Sequence, residues 1–265
     1  MRGLSREGLA KRLRIFYNYQ SYVHSNILGS VIVTLLILVP IHATYIFLGA
    51  PGLLIGGGQT GIVIGFTGLI YIFMIIYAVS VFTSDIIAGG GQLFLSQPVS
   101  RKIYVLTWMF VSLITPTFIF LASLVIPALI IEPKLLEAIG FRDLSLTVLE
   151  AFEVGSFLFL LALLIKRRGA ILVLGIVLYF LMPWIILIVL SLLIYTFVAP
   201  TSVSTIPGWL VVIAKIYATL YPSKSNLIAM GFHVNLDDAP IYSMLLSGTY
   251  ILLSILYAHY RLEVK

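Results

Sequence analysis

The chain has 265 residues, of which 61% are hydrophobic and 10% charged, and its formal net charge is +6. From residue 15 to residue 84 it contains no Asp, Glu, Lys or Arg. That stretch is long enough for two membrane spans of about 20 apolar residues each, so an ordinary water-soluble domain is excluded. The absence of cysteine excludes disulfides, thiolate metal sites and a cysteine nucleophile.

The length and continuity of the apolar runs predict the fold class. Backbone groups inside a bilayer must pair within the protein, which leaves helical bundles and closed barrels. Barrel strands alternate polar and apolar residues, and these runs do not. We therefore predict an all-α integral membrane protein that forms a single transmembrane domain over residues 1–265. Met1–Arg6 lacks the pattern of a cleavable signal peptide, so none is expected.

The N-terminal segment, residues 1–24, has the pattern of a helix lying in the membrane interface. Leu9, Leu13 and Phe16 recur at helical spacing, and basic residues surround them on the helical wheel. Tyr17 and Tyr22 add aromatic anchors at the level of the lipid headgroups. A solvated basic tail is the alternative, and the apolar stripe favours the interfacial helix.

Six membrane spans fit the hydrophobic pattern. They are Ile27–Leu48, Gly61–Thr83, Ile103–Ile131, Leu144–Ile165, Ala170–Val198 and Ile241–His259. With the N-terminus in the cytoplasm, the outer side receives only Lys134, Arg142, Lys215 and Lys224 among the basic residues. This distribution obeys the positive-inside rule, so we expect a multi-pass protein of the cell membrane with both termini cytoplasmic. The basic inner collar indicates topology and contact with membrane lipids, and we expect no nucleic-acid site.

Two features outside the simple span pattern concern packing. The segment 199–240 contains four prolines, and within it Trp209–Tyr221 is apolar but too short to span. We predict that this segment is re-entrant and caps the bundle on its outer side. Gly61, Gly65 and Gly68 place small residues on one helix face, which favours a close helix crossing within the subunit or between subunits.

The inner loop between the second and third spans, residues 85–101, contains the most specific motif. Its hinge of Gly89, Gly90 and Gly91 is followed by Leu93, Phe94 and Leu95, then by Ser96, Pro98 and Arg101. An apolar ridge beside polar residues on the cytoplasmic side is typical of a docking surface for a partner. From the residues alone, a ridge lying on the bilayer interface is an equal alternative.

The run Leu93-Phe94-Leu95-Ser96-Gln97-Pro98-Val99-Ser100-Arg101 resembles the inner-loop signature of type-2 ABC transporter permeases. Gly90, Gly91 and Gln92 depart from that signature, which usually has Thr, Leu and Glu there. The resemblance implies that the loop forms a cytoplasmic coupling helix, with Leu93, Phe94, Leu95, Ser96, Pro98 and Arg101 contacting an ABC ATP-binding subunit. It also implies a second permease copy, as a homodimer or heterodimer, and ATP and Mg on the partner subunit rather than on this chain.

Catalytic motifs are absent from the sequence. No Gly-Lys pair occurs, so the chain has no phosphate-binding loop of the Walker type, and ATP hydrolysis is expected in a separate chain. The motifs His-Glu-x-x-His and Gly-x-Ser-x-Gly are missing as well. The four histidines have no ligand spacing, so we predict no metal site and no enzymatic activity in this chain.

Glu150 and Glu153 lie three residues apart within the fourth predicted span, on neighbouring positions of one helix face. An acid inside a membrane costs at least ~2.5–3.5 kcal/mol at the bilayer centre, which makes the pair candidates for a substrate path in an outer vestibule. Hydrated residues at the outer helix end are the alternative, because both lie within two to three turns of that end.

The functional prediction is the permease subunit of an ATP-driven exporter. The alternative is an ATP-independent channel or secondary carrier, whose cargo could be a macromolecule. An inverted internal repeat would favour the carrier. A membrane-embedded enzyme ranks third, because it would need converging acids or histidines near one leaflet.

Overall fold

The computed structural model describes residues 6–48, 58–88, 101–131, 141–197, 207–224 and 236–260. Seven helices account for nearly all of these residues, and none of the described residues forms a strand. The helices are α1 (Arg6–Leu48), α2 (Gly58–Ala88), α3 (Arg101–Ile131), α4 (Phe141–Ile165), α5 (residues 168–197), α6 (Gly208–Leu220) and α7 (Ala239–Tyr260).

All helices except α6 contain a segment long and apolar enough to cross a membrane. These segments are Ile27–Ile46, Phe66–Ala88, Arg101–Ile131, Leu144–Ile165, Arg168–Leu193 and Ala239–Tyr260. The prediction of an all-α, multi-pass membrane protein with six spans is therefore confirmed. The predicted N-terminal helix runs into the first span within α1, with no non-helical residue between them.

The centre of the bundle is formed by α2 and α4, which are the most buried of the spans. Helix α4 packs against α2 on one side and against α7 on the other, while α1 packs against α3. The outward faces of α1, α5 and α7 are rich in exposed Leu, Ile and Val, as a lipid-facing surface requires.

Close contact between the central helices depends on glycine. A Cβ atom at Gly155 of α4 would lie 2.7 Å from side-chain atoms of both Ile75 and Leu113, closer than packed atoms allow. A Cβ atom at Gly68 of α2 would lie 2.8 Å from Thr147 of α4. For Gly68, the predicted close helix crossing is thus a contact within the subunit.

Two of the spans contain a π-helical turn, Phe110–Ile114 in α3 and Val177–Leu181 in α5. Each turn is followed two residues later by a proline, Pro116 or Pro183. Proline has no N–H group and its ring clashes with the carbonyl four residues earlier, which lies inside the π turn in both cases. The wider turn relieves that clash and lets the helix continue.

The connection between α4 and α5 is a tight two-residue turn. Lys166 adopts a left-handed conformation with φ of 50°, and its amide donates to the carbonyl of Ala162 at 3.2 Å. A left-handed residue of this kind commonly ends a helix because it satisfies a free terminal carbonyl. The turn brings Lys166, Arg167 and Arg168 together at one end of the bundle, where the sequence predicts the cytoplasmic side.

Candidate functional site

The predicted site residues fall into two groups in the structure. The hinge Gly89, Gly90 and Gly91 and the ridge residues Leu93, Phe94, Leu95, Ser96 and Pro98 lie outside the described residues. Arg101 is exposed as the first residue of α3. The first residues assigned to the coupling loop, Asp85 to Ala88, are helical and form the last turn of α2.

Glu150 is completely buried in α4 and is held by the short turn that follows α6. That turn, Pro222–Lys224, is a single 3-10 turn. The backbone amide of Ser223 donates to Glu150 Oε2 at 3.0 Å, and the Ser223 hydroxyl donates to the same oxygen. Lys224 Nζ forms an ion pair with Glu150 Oε1. Charge-assisted bonds of this kind are the stronger class of hydrogen bond, so they fix the turn Pro222–Lys224 onto the bundle.

Aromatic rings enclose the Lys224 ammonium group beside Glu150. Its Nζ lies 4.6 Å from the centroid of Tyr179 and 5.5 Å from that of Tyr221, within the range of a cation–π interaction. Lys224 retains only 18% exposure of its side chain. A buried ammonium requires a counter-charge, and the Glu150 carboxylate supplies it.

Tyr221 ties this cluster to the π turn of α5. Its hydroxyl donates to the carbonyl oxygen of Leu178 at 2.8 Å, and Leu178 lies within the turn Val177–Leu181. Burial, and next the negative charge of Glu150, raises the pKa of Tyr221 above its ordinary value. The hydroxyl therefore stays protonated and remains a donor to Leu178.

Glu153 lies one helical turn after Glu150 and is also buried, at 2% exposure. The hydroxyl of Ser243 on α7 donates to Glu153 Oε2. Among the described residues, no Lys or Arg forms an ion pair with Glu153. Glu153 faces a cavity of about 230 Å³, whose wall is otherwise aromatic and aliphatic. That wall includes Val154, Phe157, Leu220, Tyr221 and Tyr250.

The structure buries Glu150 and Glu153, so neither is an exposed residue at a helix end. Both carboxyl groups are enclosed by protein, because the segment after α6 and the first half of α7 cover this face of α4. Sequence distance from the helix end could not show this, since the covering residues lie more than 70 positions later in the chain. The other interpretation, a substrate path in an outer vestibule, is compatible with the cavity at Glu153, whereas Glu150 is paired with Lys224 and is not among the residues that line this cavity.

Comparison with protein-family models gives no match for this chain. Comparison with curated proteins gives none either.

Asp85, which the sequence predicts to lie in a loop, is a buried acid of α2. It is 7% exposed in the last turn of α2 and accepts hydrogen bonds from three aromatic side chains of two other helices. The hydroxyls of Tyr22 and Tyr104 donate at 3.1 and 2.6 Å, and the indole Nε1 of Trp108 donates at 3.1 Å. The sequence does carry a signal for this contact, namely the four-residue spacing of Tyr104 and Trp108, which places both donors on one face of α3.

Asp85 and its three donors, Tyr22, Tyr104 and Trp108, form the Asp85 cluster, and the ring of Phe82 packs against it. It stacks on Phe159 of α4 with centroids 4.3 Å apart, and its centroid lies 5.6 Å from that of Trp108. Since Tyr22 lies within α1, the cluster joins α1, the end of α2 and the start of α3 over the central helix α4. This polar contact fixes both ends of the connection between α2 and α3.

Proposed function

We propose that this chain is the membrane-spanning permease subunit of an ATP-driven ABC exporter. The observation that carries the proposal is the position of the run Leu93–Arg101 in the chain. It lies between the second and third of six spans, where the family resemblance implies a coupling helix. The proposal includes a separate ATP-binding subunit, which holds ATP and Mg, and a second permease copy.

The Asp85 cluster supports a coupling role for the loop between α2 and α3. A coupling element transmits force only if its two ends are attached firmly to the helices that must move. Asp85 at the end of α2 is bonded to Tyr104 and Trp108 near the start of α3, so the base of the connection is a single packed unit. A push on the loop between them would therefore reach α1, α2 and α3 together.

The finer architecture belongs to the same proposal. Both termini lie in the cytoplasm, and the basic N-terminal part of α1 contacts the inner interface and its lipid headgroups. Helix α6 is a re-entrant cap on the outer side of the bundle. Its 13 residues are too few to span, and Leu210, Ala214 and Tyr217 pack with Leu190 of α5.

A channel or secondary carrier is the second candidate, favoured by the buried acids of α4. Ionisable groups within spans mark ion and substrate paths in many transporters. The two candidates differ in their energy source, because a carrier would move its substrate without an ATP-binding partner. Association with such a partner therefore separates them.

The test is replacement of Phe94 with aspartate. Burial of a large apolar side chain at a protein contact contributes about 1.5–3 kcal/mol, and an aspartate in its place would also bury a charge. Phe94→Asp is expected to weaken co-purification of the ATP-binding chain by at least tenfold, while the bundle still inserts into the membrane.

Phe94→Leu is the matched control, because it keeps an apolar side chain at the same position and should retain the partner. The measurement is the amount of nucleotide-binding chain recovered with each variant, and its ATPase rate. If no nucleotide-binding chain is recovered with the wild-type protein and transport needs no ATP, the exporter proposal is wrong and the carrier is favoured.

A further inference from the structure

Two neighbouring sites in the outer half of the bundle share the same chemistry. In the first, Glu150 lies beside the rings of Tyr179 and Tyr221, and the ammonium of Lys224 is the cation between them. In the second, Glu153 lies beside Tyr221 and Tyr250 at the cavity wall. Tyr221 contributes to both sites. In the first site, a carboxylate and two tyrosine rings therefore hold an ammonium group, that of Lys224.

The second site differs in one respect, because no described side chain supplies its cation. Within the described part of the chain, Glu153 accepts its hydrogen bond from Ser243, whose hydroxyl is neutral. Lys224 does not supply a positive charge to Glu153, since it is already paired with Glu150. A carboxylate enclosed in apolar surroundings is stabilised by a positive partner, and the cavity offers the space for one.

The size and wall of the cavity restrict that partner. Its volume of about 230 Å³ is smaller than the roughly 300–1,000 Å³ of pockets that hold drug-sized ligands. The rings of Phe157 and Tyr250 lie 5.0 Å apart in a tilted arrangement and form one side of it. Such a wall binds apolar groups and the faces of its rings attract ammonium groups, so a hydrated metal ion fits it poorly.

We propose that this cavity binds a small organic cation, an ammonium group attached to one apolar or aromatic group, with Glu153 as its counter-charge. That such a cation is a transported substrate rests on the proposed function above. The proposal that the cation binds to this chain is independent of that function. The binding measurement therefore uses the full chain alone in lipid nanodiscs, with no ATP-binding partner.

The experiment compares two probes of equal shape, benzyltrimethylammonium and neopentylbenzene, which differ only in charge at the central atom. The wild-type chain is expected to bind the cation at least tenfold more tightly than the neutral probe, measured by calorimetry or equilibrium partition. Glu153→Gln should abolish that preference and leave the neutral probe within about twofold of wild type. Glu153→Asp should retain the preference, since it keeps the charge.

Two further variants make the result specific to the cavity. Val154→Phe fills space at the wall and should weaken both probes, whereas Thr249→Val, on the exposed face of α7, should change neither. Equal affinity for the two probes in the wild-type chain would overturn the proposal and indicate an apolar ligand. A preference for the cation that survives Glu153→Gln would overturn it too. Neither result bears on co-purification of an ATP-binding chain, so the two proposals fail separately.

Discussion

Replacement of Glu150 with glutamine is expected to lower the free energy of unfolding by about 3–5 kcal/mol. Removing one partner of a buried ion pair costs this much because the other charge is left buried without compensation. Here the remaining charge is Lys224, which the rings of Tyr179 and Tyr221 enclose. The amide and hydroxyl of Ser223 would also exchange a carboxylate oxygen for a weaker amide acceptor.

A double-mutant cycle with Lys224→Met measures this effect in detergent-solubilised protein. Glu150→Gln and Lys224→Met should each destabilise the chain, and the double variant should be less destabilised than the sum of the two. Lys215→Met is the control, because Lys215 lies on the exposed face of α6 and its loss should change stability by less than about 0.5 kcal/mol. Strict additivity of the two single variants would contradict the ion pair.

Replacement of Asp85 with alanine is expected to cost about 2–4 kcal/mol and to loosen the base of the α2–α3 connection. Hydrogen bonds to charged groups contribute about 1.5–3 kcal/mol, and a buried donor left without its acceptor costs about 1–3 kcal/mol. Trp108 is fully buried and its indole N–H would lose Asp85 as acceptor. Asp85→Asn keeps one acceptor oxygen and should have a smaller effect.

Tryptophan fluorescence reports the change directly at this site. With Trp184→Phe and Trp209→Phe, both exposed positions, Trp108 is the single tryptophan of the chain. Asp85→Ala should shift its emission to longer wavelength as water gains access, and should lower the melting temperature. Tyr22→Phe removes only the more exposed donor and should shift the emission little. An unchanged spectrum in Asp85→Ala would show that the carboxyl group does not hold Trp108.

The spans were predictable because their signal is local. Each needs only a run of apolar side chains of sufficient length, so the number and approximate bounds of the six spans follow from the sequence. The close approach at Gly68 was predictable for the same reason, since its helix face carries small residues. Its partner Thr147 was not, because nothing local specifies which helix packs against that face.

The candidate site was predictable only in part. Glu150 and Glu153 were recognisable as acids within an apolar run, but their partners Lys224 and Ser243 lie 74 and 90 residues away. Contacts at such separations depend on how the whole bundle assembles. Asp85 was misplaced because the glycines that follow it indicate a loop, whereas α2 continues to Ala88. Its hydrogen bonds with α1 and α3 support that last turn.

The most direct measurement of the central claim is cross-linking from position 94 in native membranes. The chain contains no cysteine, so Phe94→Cys introduces a single thiol for a thiol-directed photo-cross-linker. We predict a cross-linked product that contains a nucleotide-binding chain and whose yield changes when ATP is added. A thiol at Lys215, on the exposed face of α6, should give no such product. If position 94 yields no nucleotide-binding chain, or both positions yield it equally, the coupling role of the inner loop is contradicted.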